Sequence, residues 1–134
     1  MTVLYVDTSA LLKRVFVEAD SMAVRTMLRE AYTRGDLLTA SSLAWVEVWQ
    51  SLRRAGVPDV DGTGDVAVSG IAEFPLTDAV LVRARHVGQQ GLRSLDAIHL
   101  ASAIAVGADG LVTYDQRLAE SASAVGLRVL VPGD

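Results

Sequence analysis

Short apolar runs, each closed by a polar residue and followed by a helix-forming stretch, recur along the whole chain. The first, Val3–Val6, is unbroken, as expected of a strand buried on both faces of a parallel sheet. It ends at Asp7-Thr8-Ser9, and a helix is predicted over residues 10–17. Asp20 or Ser21 can cap a second helix running to 34, with Met22, Val24, Met27, Leu28 and Ala31 as apolar positions and Gly35 closing it. Residues 37–40 read as the next strand. Ser41 or Ser42 then caps a helix reaching 55, ended by Gly56 and Pro58. Residues 57–70 carry three Gly, one Pro and three Asp, and are expected to form a loop with at most one helical turn. A strand over 71–76 holds Pro75 near its end, which suits an edge position. Helices over 77–90 and 94–106, a strand over 110–114, a helix over 116–125 and a strand over 127–131 complete the alternation. Strands alternating with helices throughout mean an α/β fold with a mainly parallel sheet.

At 134 residues the chain fits one domain, residues 1–134, and can bury roughly two thirds of its unfolded surface. Its 51% hydrophobic content, 21% charged content and mean hydropathy of +0.34 exclude a disordered chain. With no cysteine, disulfide scaffolds, zinc ribbons, iron–sulfur clusters and thiol catalysis are out. The most apolar stretch, residues 95–112, is interrupted by Asp96, His99 and Asp109, so no membrane span is expected. Asp7 interrupts the N-terminal apolar run early, and no basic segment precedes it. Neither feature suits a signal peptide, and a cytoplasmic location is expected. The net charge of −4 argues against binding nucleic acid through a broad basic field. Acids gathered at a metal site are compatible with it: four carboxylates set aside leave the remaining charge balanced.

Open α/β sheets bind ligands beyond the carboxyl ends of their strands. Asp7 follows the first apolar run directly, and Asp115 follows Leu111-Val112-Thr113-Tyr114. Either alone reads as a helix cap. Two at one edge of one sheet, where strands lie about 4.8 Å apart, repel unless a cation lies between them. Asp96 is the most informative residue. The helix over 94–106 is apolar almost all round, and Asp96 and His99 are its strongly polar members, three apart on one face. A buried carboxylate there must be paired, capping or metal-bound. His99 reads first as a hydrogen-bonded core histidine, with ligand or proton carrier as the alternative. Glu47 lies nearly opposite the apolar face formed by Trp45, Val48, Trp49 and Leu52. On pattern alone it is a solvated Glu, brought into consideration by its place early in a helix that follows a strand. The two Trp read as core. Arg53 and Arg54 suit a helix C-terminus, where the dipole favours cations.

Together the acids resemble those of the PIN domain, most closely the VapC-type toxin nucleases of bacterial toxin–antitoxin pairs. The matching segments are VLYVDTSALLKRVFVE, SSLAWVEVWQSLRR, GLRSLDAIHLASAIAVGAD and LVTYDQRLAESASAVGLRVL, in family order and spanning nearly the whole chain. The resemblance implies a three-layer α/β/α PIN-like domain with a mainly parallel central sheet of four to five strands. It implies a Mg²⁺- or Mn²⁺-dependent endoribonuclease whose acidic site is Asp7, Glu47, Asp96 and Asp115, with Ser9 and Thr113 as hydroxyl neighbours that orient carboxylates or water. Asp7, Asp96 and Asp115 would bind metal directly or through water, and Glu47 would bind metal or position the water. Such metals prefer carboxylate oxygens, and the absence of His or Cys ligands disfavours zinc. Bound ions of this kind activate a water for in-line attack on phosphorus. The implied partners are RNA, a VapB-like antitoxin whose Arg reaches the carboxylates, and a second copy in a homodimer, with no membrane. The chain departs from the family in its short Gly/Asp-rich 57–70 segment, where relatives carry a fuller helical pair, and in its sparse basic residues.

Four other readings compete. A haloacid-dehalogenase-like phosphatase wants a second Asp two residues after the first, where this chain has Ser9. A receiver-like signalling domain wants an acidic pair and a late Lys, and the only Lys is Lys13. A catalytically silent PIN-like scaffold would have lost one or more acids, and all four are present. A PIN nuclease of RNA processing that is not a toxin shares every one of these residues.

Overall fold

The computed structural model describes residues 1–134. Five strands form one sheet: β1 (Val3–Val6), β2 (Leu37–Ser41), β3 (Ala72–Phe74), β4 (Gly110–Val112) and β5 (Arg128–Leu130), in the spatial order β3-β2-β1-β4-β5. Every pairing is parallel. The helices are α1 (Thr8–Leu12), α2 (Ser21–Thr33), α3 (Ser42–Arg54), α4 (Val60–Ala67), α5 (Asp78–Ala84), α6 (Ser94–Ala105) and α7 (Gln116–Ala124). The chain steps from β1 to β2 to β3 in one direction, then returns across the sheet to β4 and β5. Because parallel crossovers are right-handed, α1–α4 cover one face and α5–α7 the other. The contacts α1 with α3, α3 with α4, α5 with α6 and α6 with α7 agree with that division. The reversal falls between β1 and β4, the adjoining pair in which Val6 sits opposite Val112. A crevice at such a reversal is where an open α/β sheet presents its ligand site.

The core follows from the apolar runs. Tyr5, Val6, Leu111 and Val112 are fully enclosed, with Val24 and Leu28 of α2, Val48 and Leu52 of α3, and Leu100 of α6 packed around the sheet. β3, with its exposed residues and following Pro75, is an edge strand. Trp45 and Trp49 pack against the core only partly buried.

The structure shortens two predicted helices and adds one. α1 stops at Leu12, not near Val17, because the following polar groups are taken by tertiary partners. The Arg14 carbonyl accepts from Nε of Arg25 and the Phe16 carbonyl from the Ser21 hydroxyl. α5 stops at Ala84, not Gln90; Gly88 has a φ of +86°, which no continuing helix adopts, and the Gln89 amide donates to Ser121 instead. Residues 60–67, expected in a loop, form α4. Asp59 caps it through the Gly62 amide, and Trp49 Nε1 donates to Asp61 at 2.8 Å. Its glycines are poor helix formers, yet Gly64 lies flat beneath the Trp49 ring. A Cβ there would stand 2.5 Å from the nearest ring carbon, so glycine is what lets α4 close onto α3. Gly64→Ala should therefore lower stability by about 1–3 kcal/mol through overpacking, despite alanine's better helix propensity. A denaturant midpoint at or above that of the parent protein would refute this.

Candidate active site

Asp7 is the first residue past β1, and its amide donates to the Val112 carbonyl of β4. Its side chain, only 3% exposed, accepts three hydrogen bonds: from the Ser9 hydroxyl at 2.6 Å, the Ala10 amide at 3.2 Å and the Thr113 hydroxyl at 2.7 Å. It is thus the cap of α1 and a buried carboxyl at once. Burial pushes its pKa up, opposed by the nearby His99 charge and by these three donors. Ser9 and Thr113 also tie the two strand ends together. The Ser9 hydroxyl accepts the Tyr114 amide, and the Thr113 hydroxyl accepts the Asp115 amide.

Asp115 caps α7, accepting the Leu118 amide on one oxygen. Asp96 stands in the first turn of α6, whose starting residue Arg93 supplies no side-chain cap, and the Asp96 carboxylate takes part in no hydrogen bond or ion pair within the chain. Its pKa is pushed up to about 6, first by burial, then by the negative charge of Asp115, and further by Asp7 and Glu47, with His99 pulling against them. Asp7 and Asp115 follow the adjoining strands β1 and β4, and Asp96 lies near enough to both, and to Glu47, to feel their charge.

Glu47 departs from the solvated position that its helix pattern suggests. α3 packs beside α1, and Glu47 turns to the Thr8 hydroxyl at the start of α1 and to His99 of α6. Glu47 is half-buried and accepts from the Thr8 hydroxyl at 2.7 Å and from Nε2 of His99 at 2.5 Å. Burial raises its pKa, but the hydrogen bond and charge of His99, with Thr8, outweigh that and hold it below the usual range. His99, 2% exposed, is opposed by burial and raised overall by Glu47 and the neighbouring acids. Its Nδ1 pairs with the Tyr5 hydroxyl at 2.7 Å, and that hydroxyl accepts the Ser41 amide at 3.0 Å. A line of hydrogen bonds thus runs from the end of β2 through Tyr5 and His99 to Glu47. His99→Leu takes one hydrogen-bond partner each from the buried Tyr5 hydroxyl and the half-buried Glu47 carboxylate, and should lower stability by about 1–3 kcal/mol. An unchanged unfolding midpoint would show that the line carries no energy.

Sequence reading missed Tyr5 and Thr8 as members of this cluster. A phenol inside a strand otherwise wholly apolar was the available signal for Tyr5. For Thr8 it was a hydroxyl beside the strand-end Asp. The six expected site residues lie along one edge, but no three acidic or histidine side chains converge into a ready metal cage as they stand. Ser9, Thr113 and the Ala10 amide satisfy Asp7, while His99 and Thr8 satisfy Glu47. The donor set still fits a hard divalent cation: several carboxylate oxygens, uncompensated negative charge around Asp96, and no thiolate. The one lysine pairs with Glu18 and Asp20 and does not neutralise the cluster.

Residues 4–123 match the model of the PIN domain family. The chain is 36% identical over 132 residues to Ribonuclease VapC47 of Mycobacterium tuberculosis, covering 97% of each chain. It is 34% identical over 134 residues to Ribonuclease VapC46 of the same organism, covering 98% of this chain and 99% of the relative. Among solved structures, VapC20 of Mycobacterium tuberculosis, a Sarcin-Ricin loop cleaving toxin, superposes with a TM-score of 0.74 at 17% identity, covering 96% and 99% of the two chains. A chain of VapBC2 from Rickettsia felis, solved bound to a DNA fragment from its promoter, superposes at 0.77 with 15% identity, covering 96% and 98%. At these identities the structural likeness speaks for the fold.

Proposed function

Since this chain belongs to the PIN-domain family and, within it, to the VapC-type ribonuclease toxins, we propose that it is a Mg²⁺- or Mn²⁺-dependent endoribonuclease acting as one domain of residues 1–134. The observation that carries this reading is the buried, triply hydrogen-bonded Asp7 at the sheet's reversal point, electrostatically coupled to Asp96 beside Asp115 and Glu47. In this reading Asp7, Asp96 and Asp115 hold the metal, and Glu47 holds it or a water. A divalent ion bound there would supply a water of lowered pKa and neutralise charge on the leaving oxygen.

The chain's own groups do the positioning. Ser9 and Thr113 fix the two oxygens of Asp7, so the carboxylate meets its ligand without first reordering. His99 and Thr8 both engage Oε1 of Glu47, which holds that side chain toward the cluster and keeps it ionised at neutral pH. Asp115 is fixed at α7 by its cap, and Asp96 keeps free carboxylate capacity because it takes part in no hydrogen bond or ion pair within the chain.

The relatives solved as VapBC and toxin–antitoxin complexes support an antitoxin partner. An antitoxin Arg meeting these carboxylates in a bidentate pair would compete with metal. A homodimer is the assembly proposed with it. No helix of the protein is long and apolar enough to cross a membrane. Two measurements test the reading. Purified protein should cut RNA internally with Mg²⁺ or Mn²⁺ and stop on chelation, and cleavage unaffected by chelator would refute the metal. Co-expression with the product of an adjoining small antitoxin gene should give a stable, inactive complex. A protein that is harmless when expressed and binds no such product is not a toxin, though it could still be a nuclease.

A further inference from the structure

Three of the chain's arginines line one cleft of about 460 Å³ whose lining includes none of the clustered carboxylates: Arg14 after α1, and Arg25 and Arg29 one turn apart on α2. Leu28 and Leu38 form part of its apolar lining, and Tyr32, 63% exposed, stands in its wall. No acidic residue lines it. The protein's ion pairs join Lys13 to Glu18 and Asp20, Arg34 to Asp36, and His99 to Glu47, and none involves these three arginines. Arg14 is held rigidly, with Nη1 donating to the carbonyls of Ala67 at 2.9 Å and Ser69 at 2.8 Å. Arg25 spends Nε on the Arg14 carbonyl, leaving the outer face of its guanidinium free. Burial works against the charged form of Arg14, so an enclosed cation stands here with neutral partners only. In a chain of net charge −4, three unpaired cations around one cleft are a standing demand for an anion.

Taking its choice of anion from the ribonuclease reading, we propose that this cleft anchors an RNA strand outside the acidic site, the guanidinium groups holding backbone phosphates and Tyr32 stacking on a base. The need is physical: an acidic centre repels a polyanion, and the strand must be held by cations elsewhere. The combination of free guanidinium groups with an exposed aromatic face is the chemistry of single-strand binding, tolerant of sequence. The reach is short, since α1 and the turn after it carry the chain only about 10 Å from Asp7 to Arg14.

The test is binding of a short single-stranded oligoribonucleotide to the full chain in chelator, by fluorescence anisotropy across a salt series. Losing two phosphate contacts in Arg25→Ala/Arg29→Ala should flatten the slope of log K against log salt by about 1.4 and weaken binding about 25-fold at 0.1 M salt. Arg29→Glu alone, at an exposed residue without a partner, should weaken binding while the melting temperature holds, which separates lost contact from lost fold. Unchanged affinity and slope in both variants overturn the proposal. So does an acidic peptide or a free mononucleotide losing its binding in the variants while the oligonucleotide does not. A wild-type chain that binds through these arginines yet cuts no RNA with Mg²⁺ would refute the ribonuclease reading and leave the anchoring cleft standing. Cleavage without arginine-dependent binding would refute the cleft alone.

Discussion

In Asp7→Asn, RNA cleavage should fall by at least about 100-fold while the fold and its melting temperature are kept. The substitution is nearly isosteric in a position with no room to spare. Its Oδ1 can still accept from Ser9 and Ala10, and its amide group can turn to Thr113. What disappears is the charge. Burial already opposes that charge, so the neutral side chain should not weaken the folded state, whereas a divalent ion would lose a central ligand. Single-turnover cleavage with Mg²⁺, beside a thermal melt, separates the two effects. Near-normal cleavage would remove Asp7 from the site; lost cleavage with a much lower melt would make it structural. Glu47→Gln should also lose most activity, because the charge that His99 and Thr8 hold in place would be gone.

Asp96→Asn should melt higher than the parent protein in chelator at neutral pH, and gain less from Mn²⁺. Asp96 has a folded pKa near 6 against an ordinary value of 3.8, through burial and then the charge of Asp115. Below the ordinary value both folded and unfolded chains hold the proton, and Asp96 costs nothing. As pH rises from there to about 6 the unfolded chain gives up its proton first, so folding stability falls. Above that window the loss is complete. The side chain is partly open to solvent, so screening reduces the penalty to about 1–2 kcal/mol. Metal binds the folded chain only and should restore about 2.7 kcal/mol at a hundredfold excess over its dissociation constant. A metal-free stability curve without this fall between pH 4 and 6, or an Asp96→Asn chain that melts lower in chelator and responds fully to Mn²⁺, would mean that Asp96 is not part of a repelling carboxylate cluster.

Both experiments bear on residues that local pattern could nominate. Asp7 and Asp115 stand out because each ends an apolar run, and the register Val6 opposite Val112 makes that adjacency spatial. Asp96 stands out because an otherwise apolar helix does not carry a carboxylate without cause. Glu47 could not be read the same way. A helical wheel counts apolar residues, and the wheel of α3 turns Glu47 outward; only the packing of α1 on α3 and the arrival of His99 from α6 give it a buried partner. The line from Ser41 through Tyr5 to His99 joins residues up to 94 positions apart, and no local spacing encodes such a contact.

The sequence by itself determined the parallel α/β class, the strand starts and the acids at the strand and helix ends, because apolar periodicity and terminal polar residues are local properties that each segment expresses alone. The tertiary structure decided where helices stop and which side chains meet. α1 and α5 end early because their next polar groups find partners in α2 and α7. α4 forms from a glycine-rich segment because Trp49 needs a flat surface to lie against. The three arginines become one cleft only when α2, α4 and the turn after α1 are brought together. Each of these outcomes is a free energy of contact between distant segments, larger than the local propensity it overrides.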